Sequence, residues 1–410
     1  MNFIKNKSCR MCGSKQLSTI INLGKHPLVN RLLNKKDLKK KDYFFSLILR
    51  RCKKCFLIQL SQFVDPKNLY TDQDYTYFSS DVKAQEKYFS NYANELIKSF
   101  NIKNKFVLEI GSNDGIMLKH FKKKNTVLGV DPATNVVLRA LKNNVNTIPL
   151  FYNYKISEKI KNEYGNADLI IANNCIAHTN QLNDLMEGIS NNLSNKGVFV
   201  AEFNYWGKMV ENNNYSLIYH EHYSFFSLKV WIDFLKKYRI RIFDARITNA
   251  QGGTLRIYCS KMSKKRSKRF KDIIKYEKNK KINSFETAMQ FRKNVNDLSK
   301  KLKEIIYNLK KNGKKISCYG AAAKGMTILK CSSIDRNIID YFVDDSPAKQ
   351  GLYSAGDHIP IISRKNAEKN LPDYFIISAP NFSESIINKE KKFIANGGKF
   401  IIPKDDIFIT

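Results

Sequence analysis

Val107-Leu108-Glu109-Ile110-Gly111-Ser112-Asn113-Asp114-Gly115 passes from an apolar strand into a polar loop punctuated by glycine. Phe106–Ile110 reads as a buried parallel strand, and a helix through Leu118 and Phe121 is expected to follow the loop. In that arrangement the glycines let the backbone approach a ligand at the strand's carboxyl end. The helix N-terminus adds partial positive charge there. A second apolar strand, Thr126–Asp131, ends on an acid 20 residues after Gly111. An acid in that place can accept both hydroxyls of a ribose. The segment is therefore read as the site of a nucleoside-bearing cofactor.

The glycine pattern separates the cofactors. A dinucleotide site needs Gly-x-Gly-x-x-Gly, which makes room for a pyrophosphate. Here the loop is Glu-x-Gly-x-Asn-x-Gly, built from Glu109, Gly111, Asn113 and Gly115. An acid before the first glycine suits a ligand amino group and repels a pyrophosphate. S-adenosylmethionine is the expected cofactor, ahead of a nicotinamide dinucleotide. Asp168–Ala172 and Gly197–Phe203 read as two more buried strands, and Asp81–Phe100 carries Tyr88, Tyr92 and Leu96 at helical spacing. The alternation predicts an open, helix-covered α/β sheet. The strand at Asp168 runs on through Asn173 and Asn174 to His178, over the expected cofactor. The Asn-Pro-Pro-aromatic tetrapeptide of many nucleobase amino methyltransferases is absent there.

Outward from this unit, Cys9-Arg10-Met11-Cys12 and Cys52-Lys53-Lys54-Cys55 form two Cys-x-x-Cys pairs, with 39 residues between Cys12 and Cys52. Four thiolates suit tetrahedral zinc, and with no open coordination position the metal is expected to be structural. The segment between the pairs must loop out and return. A redox role is the weaker reading, because neither pair begins a helix after a strand. On the other side, Lys261–Lys281 is a basic tract, read as a solvated helix face or connector, with a polyanion contact as the alternative. A long helical pattern runs to about Lys311. A second α/β unit then follows, with strands at Lys315–Tyr319, Ile339–Val343, Tyr374–Ser378 and Lys399–Ile402.

Tyr219-His220-Glu221-His222-Tyr223 concentrates two of the chain's 6 histidines beside a carboxylate and two phenols. Acid–base chemistry is the favoured reading, because an imidazole titrates near working pH and a neighbouring carboxylate can orient it. Two alternatives stand beside it. His220 and His222 on one face of a strand could bind metal, or the cluster could be a buried aromatic core.

These motifs, in this order and with Gly129-Val130-Asp131-Pro132, Gly252-Gly253-Thr254-Leu255-Arg256 and Tyr319-Gly320-Ala321-Ala322-Ala323-Lys324-Gly325, resemble the sugar C-methyltransferases that act on nucleotide-linked 4-keto-hexoses in deoxysugar biosynthesis. The resemblance covers essentially the whole chain. It implies a small zinc-binding domain (1–72), a Rossmann-like class I methyltransferase domain (73–262) and a C-terminal α/β domain that contributes to substrate binding (263–410). It implies methylation at sugar carbon 3, beside the carbon 4 ketone. His222 would remove the carbon 3 proton, Tyr219 and Glu221 would support the base or the enolate oxygen, and His178 would lie near the keto oxygen. Tyr75–Ser80 resembles a stretch that closes over the active site, which adds Tyr77 and Ser79 to Glu109, Gly111, Asn113, Gly115, Asp131, Asn173 and Asn174 as cofactor contacts. The competing view of that stretch is a packed aromatic loop.

The 71 Lys and Arg against 37 Asp and Glu give a net charge of +34. That suits an anionic nucleotide sugar and also a nucleic acid, although Lys is abundant along the whole chain. Two rival readings follow: a zinc-ribbon RNA or DNA methyltransferase, and a non-catalytic sugar-nucleotide-binding protein. Nucleic acid is not the expected partner. No apolar run is long enough for a bilayer, and the N-terminus has no apolar leader. A cytoplasmic monomer or weak homo-oligomer is expected.

Overall fold

The computed structural model describes residues 3–71 and 75–410. The expected boundary between residues 72 and 73 lies outside the described residues.

Seven strands form the middle sheet: β1 (Phe106–Ile110), β2 (Thr126–Val130), β3 (Thr147–Ile148), β4 (Ala167–Asn173), β5 (Leu193–Asn204), β6 (Arg241–Thr248) and β7 (Thr254–Ser260). Their order is β6-β7-β5-β4-β1-β2-β3. β1 pairs in parallel with β2 and β4, and β4 with β5. β7 runs antiparallel between β5 and β6. Both faces are covered. Leu108 and Ile110 pack with Leu128, Val130 and Ile170 on one side. Val107, Leu169 and Val200 pack on the other against Tyr92 and Leu96 of helix Lys83–Phe100. Double-sided burial is why these strands read as unbroken apolar runs. Strand order reverses between β1 and β4, and that reversal opens a crevice at their carboxyl ends.

The expected helix through Leu118 and Phe121 is replaced by a 3-10 turn at Leu118–His120. The Phe121 N–H donates to the Leu118 carbonyl at 2.9 Å. Ile116, Met117, Leu118 and Phe121 are all buried, a spacing that makes no single α-helical stripe. Among the described residues, the segment that directly follows the glycine loop therefore forms no α-helix.

In the N-terminal unit, strands Leu17–His26 and Phe45–Cys52 pair as an antiparallel hairpin with Leu17 opposite Cys52. The hairpin carries the chain out from the first cysteine pair and back to the second. Strand Ile58–Leu60 joins it, and the sheet is completed by Ser224–Phe225, just after the histidine cluster. The C-terminal unit holds β8 (Ile316–Tyr319), β9 (Ile339–Val343), β10 (Ile361–Ile362), β11 (Tyr374–Ile377), β12 (Lys399–Pro403) and β13 (Ile407–Ile409), in the order β10-β9-β8-β11-β12-β13. All its pairings are parallel except β12 with β13.

The basic tract is a docked helix, Lys268–Asn279. Phe270 and Ile273 join the middle core, and the lysines at 268, 271, 275 and 278 face solvent. Buried Glu277 accepts from the Leu228 and Lys229 N–H groups at 2.6 and 3.0 Å and from the Tyr205 hydroxyl at 2.9 Å. No helix among the described residues is long and apolar enough to cross a membrane.

Candidate active site and metal centre

The sulfurs of Cys9, Cys12, Cys52 and Cys55 lie within 4.8 Å of one another, with Cys9–Cys55 at 3.4 Å and Cys12–Cys52 at 3.6 Å. A tetrahedral zinc with bonds of ~2.3 Å needs sulfur–sulfur edges of ~3.8 Å, so this set fits the ion after a small expansion. Gly13 turns the first knuckle with φ +72° and donates its N–H to the Cys9 carbonyl at 2.9 Å. With four protein ligands the centre has no position left for substrate.

At the β1–β4 crevice, Glu109 is only 3% exposed. Its Oε1 accepts from Asn173 Nδ2 at 3.4 Å. Burial, with Asp131 and Asp114 adding to it, pushes its carboxyl well above the usual range. Asp131 sits one residue past β2. Its two oxygens accept the N–H groups of Asn113 and Ala133, each at 3.0 Å, and burial still raises it to about 6. Asn113, in the left-handed region at φ +49°, accepts from the Ser79 N–H at 2.8 Å and donates to the Tyr77 carbonyl at 3.2 Å. The Tyr75–Ser80 stretch is thereby fastened onto the glycine loop.

The glycines behave differently from expectation. A Cβ on Gly111 would lie 2.4 Å from Cys175 Cβ, and one on Gly115 would lie 2.9 Å from Val145 Cβ. They make room for the protein's own neighbouring loops. The space for a ligand is marked instead by unsatisfied polar atoms. Glu109 Oε2, Ser112 Oγ, Asn173 Oδ1 and Asn174 Oδ1 are buried without a hydrogen-bond partner among the described residues. Buried polar atoms are nearly always bonded. Three of them, Glu109 Oε2, Asn173 Oδ1 and Asn174 Oδ1, stand at the carboxyl ends of β1 and β4 and fit the amino-acid end and ribose of a ligand, whereas Ser112 Oγ packs over Gly129.

The histidine cluster is a turn, with the His222 N–H on the Tyr219 carbonyl at 3.0 Å, and not a strand. Its two imidazoles therefore do not share a face. His220 turns away onto the Phe45 carbonyl at 3.2 Å. The cysteine set is the one metal-capable cluster found among the described residues, and His220 and His222 are not part of one.

His222, Tyr219, Glu221 and His178 do come together. His222 Nδ1 lies 2.6 Å from the Leu217 carbonyl. A carbonyl only accepts, so Nδ1 carries the proton and Nε2 the lone pair. The Tyr219 hydroxyl lies 3.0 Å from Nε2 and donates to it. The His178 and His222 ring centres are 4.9 Å apart. Burial lowers His178 to about 4. Burial, then the nearby His178 and Lys324, hold His222 well below the ordinary value. Both rings are neutral at pH 7. Glu221, raised to about 7 by burial, accepts from Asn30 Nδ2 at 2.6 Å and from the Tyr75 hydroxyl at 3.1 Å.

Four residues of this neighbourhood were not singled out from sequence. Tyr70 hydroxyl bonds His178 Nδ1 at 2.9 Å, and Asn30 holds Glu221. Lys324 donates to the Gln251 carbonyl and Oε1 at 3.0 and 3.1 Å, and burial lowers its amine to about 8. It also lines a cavity of about 50 Å³ with Asn213, Gly252 and Asn381. The motif Tyr319–Gly325 contained the signal for Lys324; Tyr70, Asn30 and Gln251 carried none.

Three family models match in succession: "Putative zinc binding domain" over residues 9–70, "Methyltransferase domain" over 83–238 and "C-methyltransferase C-terminal domain" over 249–404. The chain is 28% identical over 399 residues to C-methyltransferase NovU of Streptomyces niveus, a match that spans 96% of this chain and 94% of that protein. Among solved structures, an S-adenosylmethionine-dependent methyltransferase from Clostridium acetobutylicum is 14% identical and covers 42% of this chain and 91% of its own, with a TM-score of 0.34. Magnesium protoporphyrin IX methyltransferase of Synechocystis is 12% identical and covers 47% and 91%, with a TM-score of 0.35. With its sheet order and crevice, the middle unit is a Rossmann-like class I methyltransferase domain, and the chain is a methyltransferase. More narrowly, it carries the domain set of the C-methyltransferases: the four-cysteine unit, the cofactor domain and their C-terminal domain.

Proposed function

We propose that this enzyme methylates carbon 3 of a nucleotide-linked 4-keto-deoxysugar in the cytoplasm, as a step of deoxysugar biosynthesis. The observation that carries the reading is the pair of neutral imidazoles, part-buried His178 and buried His222, next to the cofactor crevice. Removing a proton beside a ketone needs a neutral base and a donor for the oxygen on which charge develops. His222 Nε2 is the base and takes the carbon 3 proton, with Nδ1–H fixed on the Leu217 carbonyl. Burial keeps the Tyr219 phenol protonated. It guards Nε2 and can turn its hydroxyl to the enolate oxygen. Glu221, raised to about 7 by burial, acts on the Tyr219 phenol that faces His222. Glu109 and Asp131 receive the cofactor's amino group and ribose, with Asn173, Asn174, Gly111, Gly115 and the Asn113-held Tyr77–Ser79 stretch around them. S-adenosylmethionine, when bound, supplies the methyl group. Lys324 offers a cation to the anionic nucleotide end.

A second assignment within the same reaction has its own support. His178 Nε2 is buried without a partner among the described residues, whereas Nε2 of His222 is engaged. In that version His178 takes the proton.

The test is incubation of a panel of 4-keto nucleotide sugars with methyl-labelled cofactor, followed by location of the label. Methyl on carbon 3, stable to acid, is the expected product. His222→Ala should lose at least about 100-fold in turnover and in deuterium exchange at carbon 3, with cofactor affinity nearly intact. Exchange lost in His178→Ala but kept in His222→Ala would transfer the role to His178. Label on oxygen or nitrogen would refute the reading.

A further inference from the structure

Arg10 lies between the first two zinc cysteines and is 6% exposed. Its Nη1 donates to the Leu60 carbonyl at 2.6 Å and to the Gln59 Oε1 and Tyr223 carbonyl at 3.3 Å each. Its Nε donates to Asn180 Oδ1 at 2.7 Å. The rings of Phe63 and Tyr223 flank the guanidinium at 5.8 and 5.7 Å. Asn180 follows His178 by two residues, and Tyr223 follows His222 by one. The Tyr223 N–H joins these segments directly through the Ala177 carbonyl at 2.7 Å. The knuckle is also latched from outside, since Asn183 Nδ2 donates to the Arg10 and Met11 carbonyls at 3.1 and 3.4 Å.

We propose that Arg10 is a positioning residue that holds the His178 and His222 segments in register from the zinc knuckle. The proposal rests on the imidazole pair being the acid–base site. Its planar fork is what the task requires. One edge reaches the segment after His178 while the other reaches the segment after His222, and the single ammonium of a lysine cannot face both. A displacement of about 1 Å at reacting groups costs about 100-fold in rate, so a clamp of this kind acts on turnover more than on binding.

The experiment uses full-length, zinc-loaded protein and the variants Arg10→Lys and Asn180→Ala. The second removes the Nε partner without touching the knuckle. Four quantities are measured: zinc per chain, S-adenosylhomocysteine affinity by calorimetry, kcat and KM on the keto-sugar panel, and the imidazole Cε1–H resonances. Both variants should keep their zinc and hold affinity within about twofold. Their kcat should fall about 10- to 100-fold with KM changed less than about threefold. The His178 and His222 resonances should move while those of His120 and His358 stay. Unchanged kcat, a fall in kcat matched by lost zinc or lost folded protein, or unmoved resonances would each overturn the proposal. If wild-type enzyme methylates no keto sugar, the substrate reading fails, and the resonances alone then decide the role of Arg10.

Discussion

Cofactor affinity should fall as pH drops through the Asp131 carboxyl. Burial raises this group to about 6 despite the N–H groups of Ala133 and Asn113 on its oxygens. In the proposed site two ribose hydroxyls would donate to the carboxylate, and the acid form would lose that pattern, so the proton would compete with the ligand. With its pKa near 6 the group is about 90% ionised at pH 7 and about 10% at pH 5. The association constant should therefore drop about tenfold between those values, about 1.4 kcal/mol, with affinity rising as pH rises. Burial also holds Glu109 well above the usual range, and Glu109→Gln isolates the Asp131 step. The assay is calorimetric titration with S-adenosylhomocysteine at pH 5, 6, 7 and 8 and constant ionic strength, after circular dichroism shows the fold intact at pH 5. Asp131→Asn should bind about 10- to 100-fold more weakly at pH 7 and lose the step. An affinity constant within about twofold across the range in Glu109→Gln, or a step that survives Asp131→Asn, would refute the assignment.

Metal analysis should find one zinc per chain. Cys52→Ser should leave under about a tenth of an equivalent and lower the thermal midpoint by at least about 5 °C, and an unchanged midpoint would show the centre to be dispensable. Glu277→Ala strands the Leu228 and Lys229 N–H groups and the Tyr205 hydroxyl. In urea unfolding it should cost about 3–5 kcal/mol, and a loss below about 1 kcal/mol would mean that water replaces the carboxylate. Gly111→Ala drives a Cβ to 2.4 Å from Cys175 Cβ at φ +67° and should destabilise by about 2–4 kcal/mol. Adding Cys175→Gly should recover part of that loss, and no recovery would place the cost in the backbone alone.

Legibility in the sequence followed the range of the contacts. β1, β2, β4 and β5 could be read because both of their faces are buried, which writes an apolar run into consecutive residues. β6 is a half-exposed edge strand with Arg241, Asp244 and Arg246 interleaved, and such a run carries no clean period. The glycine loop was found for its glycines, yet what demands Gly111 is Cys175, 64 positions away. Tyr219, Glu221 and His222 were legible as a unit because they are neighbours. Whether His220 belonged with them depended on strand against turn, which residue types alone do not decide.

The partners of the proposed acid–base groups lay beyond local reading for the same reason, and their common origin is informative. Tyr70 holds His178, Asn30 holds Glu221, and Arg10 ties the segments that follow both imidazoles. All three come from the four-cysteine unit, whose sheet is completed by Ser224–Phe225 of the middle domain. The middle domain thus brings the groups proposed to react, and the four-cysteine unit supplies hydrogen bonds that orient them. A zinc with four protein ligands touches no substrate, but the hairpin it staples sets the angle of the groups proposed to do so. Loss of zinc should accordingly impair turnover before it impairs cofactor binding, since Glu109, Asn113 and Asp131 stand on β1, its loop and the end of β2, outside that unit.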